Sequence, residues 1–363
     1  SASARARGAA KRERRERVLR ALRPHVPIIA LLDSMPSSRD ADAAEADRSV
    51  IRLACRALLP LMAVGGGGER GGPGLPFLME TAPSLLRHAD CEEAIQCLNA
   101  LVCSDPELCA ACPEALVRSF VLLPLVHGRR PSLLALVRAL IFHDGALIER
   151  PRVHVLAALR ALPPDQIMRL LPLPAASEDA SLVEPLTSPM GMLRQGTTDA
   201  ASADAEDDAF ATIAYRVQAA TLLCECASGN NFDAESLSRR LCPFPGLVSQ
   251  IVDAGTDEEL RYALLRLLVV GYVDAEVRSI ALSESSSVTD LLEYICQRLR
   301  SATNAISSAI AASAAIAGSE ATSAGAAELA VSPDAAFLAS AAIPFLDGFY
   351  QRLYRPNEAS SRL

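Results

Sequence analysis

The chain has 363 residues, half of them apolar, with 4% aromatics, no Trp and a formal net charge of −8. An acidic chain repels phosphate backbones, so nucleic acid is excluded as a general partner. The ten cysteines are too sparse for a disulfide-dense scaffold, and no run of about 20 strongly apolar residues is present to span a bilayer. Leu and Ala dominate the apolar set; both favour helices, whereas strands favour β-branched and aromatic residues. The composition predicts an all-α protein.

The chain opens with a basic run, Arg5, Arg7, Lys11, Arg12, Arg14, Arg15 and Arg17, interrupted by Glu13 and Glu16. It leads into Val18, Leu19 and Leu22 and is read as the solvated first turns of a helix. A patch for an acidic partner is the other reading. Val18, Leu22, Val26, Ile29 and Leu32 keep helical spacing, and Pro24 and Pro27 are expected to break that run. After an acidic loop, 37–47, a second helix is predicted to carry Val50, Ile51, Leu53, Ala54, Leu58 and Leu61 on its inner face. It ends at the glycines 65–68 and 71–74.

Short helices follow, predicted at 77–88, 92–102, 113–126, 132–142, 152–162 and 165–171. Prolines 106, 113, 131 and 164 stand at helix starts, where their missing N–H is tolerated. Short helix pairs with apolar inner faces predict an armadillo-like α-solenoid, a superhelix of short antiparallel helices, although no strict repeat period is present. An irregular helical domain is the alternative.

Residues 175–208 break the pattern with Ser, Ala, Asp and Glu and close on Asp204, Glu206, Asp207 and Asp208. They are expected to form a disordered or loosely packed insertion. Helical faces then resume: Ile213, Val217, Ala220, Leu222 and Leu223; Leu247, Val248, Ile251 and Val252; Leu260, Leu264, Leu265, Leu267 and Leu268; and Val288, Leu291, Leu292, Ile295 and Leu299. An Ala/Ser tract, 302–332, follows, readable as helix or spacer. A last amphipathic helix, 335–354, carries Phe337, Ile343, Phe345, Leu346, Phe349, Tyr350 and Leu353. The expected organisation is a first helical block at 1–174, an insertion at 175–208, a second block at 209–300, a spacer at 301–333 and a terminal helix at 334–363. Ser1 in place of Met predicts a piece of a longer polypeptide.

Candidate chemistry is thin. His88-x-x-Cys91 and Cys109-x-x-Cys112 have the internal spacing of zinc-ligand pairs. A whole predicted helix separates them, and Cys97 and Cys103 are left over, so packing thiols are the preferred reading. The Gly65–Gly68 run lacks the Lys-Ser/Thr of a phosphate loop, and no Gly-x-Ser-x-Gly elbow is present. Glu92/Glu93, Asp207/Asp208 and Glu258/Glu259 fall near predicted helix starts, where they complement the helix dipole. His127, before Gly128, is expected to cap carbonyls at a helix end. No catalytic, cofactor-binding or metal residue is nominated, no cofactor is expected, and the chain is read as a non-enzyme.

Four stretches, taken in order, carry a resemblance. The first is Arg14-Arg-Glu-Arg-Val-Leu-Arg-Ala-Leu-Arg-Pro-His-Val-Pro-Ile-Ile, with Val50-Ile-Arg-Leu-Ala-Cys after it. The second is Val126-His-Gly-Arg-Arg-Pro-Ser-Leu-Leu, followed by Ile141-Phe-His-Asp-Gly. The third is Ala214-Tyr-Arg-Val-Gln-Ala-Ala-Thr-Leu-Leu-Cys-Glu-Cys-Ala-Ser-Gly-Asn-Asn. The fourth is Gly271-Tyr-Val-Asp-Ala-Glu-Val, before a closing Phe345-Leu-Asp-Gly-Phe-Tyr. Together they resemble the RIH homology region of inositol trisphosphate receptors and ryanodine receptors, and are more similar to the former.

The resemblance implies a cytosolic helical arm of a tetrameric calcium release channel, at the cytosolic face of the endoplasmic reticulum or a similar store. Its implied partners are the channel's other domains and subunits and regulatory proteins, with no direct membrane insertion of this segment. The family's ligand site lies upstream of the stretches matched here, so no ligand-binding residue is implied. The resemblance also implies turns at 126–131 and 228–231, with Gly128 and Gly229 as left-handed caps, and Tyr272, Asp274 and Glu276 closing one helix and launching the next, either in a coupling role or as ordinary turn residues. A freestanding armadillo-like protein-interaction scaffold is the rival reading, and a zinc-stabilised helical module a third.

Overall fold

Helix stripes account for nearly every element seen. The computed structural model describes residues 25–35, 45–63, 75–103, 106–173, 201–229, 231–274, 286–317 and 341–353. The chain divides into two compact units, Ser1–Leu170 and Leu171–Leu363. The basic run at 5–17, the glycines of 65–74, Glu276 and Phe337 lie outside the described residues.

The first unit contains α1 (His25–Ser34), α2 (Glu45–Ala63), α3 (Leu75–Arg87), α4 (Glu92–Val102), α5 (Pro106–Ala111), α6 (Glu114–His127), α7 (Pro131–Ile141), α8 (Glu149–Arg160) and α9 (Pro164–Leu170). Helix α1 packs on α2 and α3, α2 on α4, α4 on α7, and α6 on both α7 and α8. The buried residues follow the stripe that a period of 3.6 demands: Ile51, Ala54, Cys55 and Leu58 on α2, and Leu133, Leu134, Leu136, Val137, Leu140 and Ile141 on α7. Each fully buried Leu contributes roughly 1.5–3 kcal/mol.

Three expectations need correction here. Leu53, expected on the inner face of α2, is 69% exposed, because it lies two residues (about 200°) beyond Ile51 on the opposite side of the helix. Pro27 does not break α1; it sits in the first turn, where no intrahelical bond is lost. Between α7 and α8 the chain makes a small hairpin, Phe142–His143 with Ala146–Leu147, that the helical reading of this stretch omitted. Its turn is Asp144-Gly145 with φ of 48° and 83°, the type I′ geometry that matches strand twist.

The second unit contains α10 (Ala201–Ala227), α11 (Phe232–Leu241), α12 (Phe244–Val252), α13 (Glu258–Leu268) with a π-helical turn at Val269–Val273, α14 (Ser286–Ala317), and α15 (Ile343–Gly348) with a second π-helical turn at Phe349–Leu353. Helix α10 packs on α11 and α13, and α12 on α13 and α14. From Tyr215 to Ala227 α10 is buried on nearly all sides, so it is the central helix of this unit rather than a one-faced surface helix. It begins at Ala201, inside the stretch set aside by composition, and α14 continues through Ala317 into the Ala/Ser tract.

Caps explain where several helices start. The Asn231 side chain accepts from the Ala234 N–H at 3.1 Å. Asp257 accepts from the Glu259 N–H at 2.9 Å and the Leu260 N–H at 3.3 Å. Each satisfies amides that have no partner within the helix. The terminal segment differs from one continuous amphipathic helix. Pro344 opens α15, π-type turns flank it, and Ile343 and Tyr350 are exposed while Phe345 and Phe349 are buried and stacked.

Among the described residues no helix is long and apolar enough to cross a membrane.

Candidate functional site

Side chains with the sequence spacing of a chemical centre are used instead to tie helices together. His88 is fully buried, and its Nε2 donates to the Leu32 carbonyl at 3.0 Å, joining the end of α3 to α1. Cys91 stands at the N-cap position of α4, and its thiol donates to Glu93 Oε2 at 3.2 Å instead of capping a backbone amide; Cys109, on α5, donates to the Val102 carbonyl at 3.1 Å. Burial, helped by the Glu93 contact, pushes the Cys91 thiol up to about 11, and burial alone pushes Cys112 up to about 11. Zinc needs thiolates. Among the described residues no three His, Cys, Asp or Glu side chains converge where a metal ion could be held. The two spaced pairs therefore do not combine.

Of the leftover cysteines, Cys97 is buried and reaches the Cys55 carbonyl at 3.2 Å, joining α4 to α2. Cys103 departs from the packing role: it is exposed at the end of α4. Glu93 also receives Arg56 Nη2 at 2.8 Å. Burial would raise its carboxyl, but the contacts from Cys91, its own backbone and Arg56 outweigh that and hold it below the ordinary range.

The junction of α6 and α7 is built around Gly128, with φ 90° and ψ 173°. The positive φ fits the expected glycine role, but the ψ is extended, so this is not a left-handed helical cap. A side chain is disfavoured there whatever the space around it. The neighbouring arginines reach back to earlier and later turns. Arg129 Nε donates to the Arg169 carbonyl at 3.1 Å, and Arg130 donates to the Asp90 carbonyl. Ser132 donates to Glu92 at 3.0 Å, so the starts of α4 and α7 are pinned side by side.

In the second unit, Gly229 follows α10 with φ 78°, and Ser228 Oγ donates to the Cys224 carbonyl at 2.8 Å. Tyr272 lies inside the π-helical turn. Its hydroxyl donates to the Cys242 carbonyl at 2.8 Å, Phe244 meets its ring edge-on at 5.4 Å, and Arg239 lies over it at 5.8 Å. Arg239 Nε donates to the Gly271 carbonyl at 2.8 Å, so α11 is bonded to the turn it packs against. Asp274 ends the turn through its N–H to the Val269 carbonyl at 2.8 Å.

One polar cluster was not singled out in the sequence. Arg261, 3% exposed, donates to the carbonyls of Ile251 at 2.9 Å, Asp253 at 2.8 Å and Thr256 at 2.9 Å, and also to Glu258. Arg298, from α14, takes the same Glu258 carboxylate in a two-pronged contact of 2.9 and 3.0 Å. Both guanidinium groups lie over the Tyr294 ring, at 5.6 and 5.9 Å. Burial would raise the Glu258 carboxyl, but Arg298 and Arg261 outweigh that and hold it below its ordinary value. The sequence signals were there: Glu258/Arg261 at i,i+3 and Tyr294/Arg298 at i,i+4. What joins them is a distance of 40 residues that no local pattern encodes. This arrangement does structural work: it bonds the α12–α13 loop, the start of α13 and the middle of α14 into one piece.

The chain matches no protein-family model and no curated protein.

Proposed function

We propose that the chain is a cytosolic helical coupling segment of an inositol-trisphosphate-receptor-like intracellular calcium release channel, passing conformational change between a ligand-binding region and a pore. The observation that carries this reading is the collinear order of the four stretches quoted above. Three of them fall at helix junctions held by bonds to backbone carbonyls. These are the α6–α7 junction with Arg129 and Arg130, the α10–α11 junction, where Ser228 closes the end of α10 and Asn231 caps α11, and the π-helical turn with Gly271 and Tyr272.

On this reading the helices of each unit stack as an armadillo-like superhelix. Packing stays local in sequence, between helices one to three places apart, as α1 on α2 and α3, α6 on α7 and α8, α4 on α7 and α10 on α13, which supports such stacking. Helix pairs bonded at their junctions move as bodies, and small shifts between them accumulate along the stack. The role needs no active site in this segment. It needs rigid pairs and defined turns.

The test is calcium release from the store. Cells in which the gene for this chain is disrupted are expected to lose inositol-trisphosphate-evoked release. The intact gene should restore it, and a version carrying Arg130→Ala should restore it poorly while still accumulating. Release that survives disruption would overturn the channel reading and favour a freestanding interaction scaffold.

A further inference from the structure

Between α12 and α14 of the second unit lies an open groove of about 960 Å³, whose lining includes Glu258, Arg261 and Arg298. Its α12 side offers the exposed Pro245 and Ala254 and the half-buried Val252, whereas Val248 lies buried beneath them. Its α14 wall is a polar stripe at helical spacing, with Asp290, Glu293 and Tyr294 at its centre. Asp253, at the end of α12, adds a third exposed carboxylate beside the same groove.

The charges in this groove are unevenly matched. Both arginines are committed to Glu258, and Arg261 to three carbonyls besides. Among the described residues no basic side chain forms an ion pair with Asp253, Asp290 or Glu293. Asp290 and Glu293 are moreover like charges at i,i+3, an arrangement that disfavours the helix on which it sits. A cationic occupant would relieve that repulsion. The volume is at the upper end for a small-molecule pocket, and the apolar wall has nothing to offer a bare cation.

We propose that this groove docks a basic amphipathic segment of a partner protein. Its Lys or Arg side chains meet Asp253, Asp290 and Glu293, and its apolar residues cover Pro245, Val252 and Ala254. The Arg261–Glu258–Arg298 cluster, which ties α13 to α14, sets the groove's spacing without contacting the segment's charges. The inference does not depend on the channel reading.

The experiment measures binding of the full chain to a short labelled peptide in which Lys and Arg flank Leu at helical spacing, by fluorescence anisotropy. The double charge reversal Asp290→Lys with Glu293→Lys is compared with Glu80→Lys with Asp165→Lys. All four positions are exposed, and both variants change the net charge equally. The groove variant is expected to weaken binding about tenfold or more, and the distant variant less than about twofold. Replacing Leu by Ser in the peptide should weaken binding about fivefold or more. Equal losses in the two variants would mean that the protein's overall acidity attracts the peptide, and would overturn the proposal. So would a Ser peptide that binds as tightly as the Leu peptide, or an absence of binding.

Discussion

Replacing Arg261 by Met tests the claim that the α12–α13 loop is held from within. Met keeps most of the aliphatic volume and removes every donor. The wild-type side chain is 4% exposed and serves the carbonyls of Ile251, Asp253 and Thr256. Asp253 is exposed and Thr256 half-buried, so their carbonyls regain water; Ile251 is fully buried, and its carbonyl does not. Glu258 keeps Arg298 and is not stranded. One stranded carbonyl together with the lost charge-assisted bonds gives an expected destabilisation of about 2–4 kcal/mol. Arg261→Lys should recover less than half of it, because a single ammonium cannot spread over acceptors arranged for a guanidinium fork. Urea unfolding followed by far-UV circular dichroism gives the magnitude. Amide hydrogen exchange locates it: the amides at 253–260 should exchange faster while those of α4 and α7 do not change. A loss under about 1 kcal/mol, or faster exchange spread evenly over the chain, would refute the reasoning.

Further expectations follow from single residues. Gly128→Ala should cost about 1–3 kcal/mol despite open space around the position, because its φ of 90° with ψ of 173° is a glycine conformation; thermal melting checks it, and a neutral effect would contradict the assigned backbone. Glu258 has a depressed folded-state pKa, so its contribution is fully present above its ordinary value of 4.5 and is lost as pH falls through the lowered value. Wild-type protein should therefore lose urea resistance more steeply than Glu258→Gln below about pH 4.5, and parallel curves would contradict the Arg298 and Arg261 contacts. In thiol labelling of the native chain, Cys103 and Cys296 should react first, Cys91 more slowly, and Cys55, Cys97, Cys109, Cys112, Cys224, Cys226 and Cys242 only on unfolding. Rapid labelling of Cys109 or Cys112 would mean that α5 is not packed as described.

The helices were legible because their apolar residues recur at three- and four-residue spacing and their starts carry Pro, Asp or Asn. Residues 92–102 and α4 coincide, and the predictions around α6 and α7 differ from the structure by one residue at each end. Burial around α10 was not legible. A run such as Leu222 to Ala227 looks like one stripe plus drift until its neighbours are known, and only the packing of α11 and α13 on it shows why both sides are apolar. The hairpin at 142–147 had its Asp-Gly signal in plain view, but two-residue strands have no periodicity to detect. The zinc-like spacing carried little weight for the opposite reason. Sequence spacing fixes distance along the chain, whereas the thiols of Cys91 and Cys109 each turn to a partner of their own, Glu93 and the Val102 carbonyl. The cluster on Glu258 depends on Arg298 arriving from a separate helix.

Reading the native transcript on both sides of the codons for Ser1 and Leu363 separates a channel arm from a freestanding scaffold. A channel arm requires an open reading frame that encodes a β-trefoil upstream and a six-helix membrane region downstream. Stop codons close to both ends, with neither domain present, would contradict it and leave a helical protein-interaction scaffold.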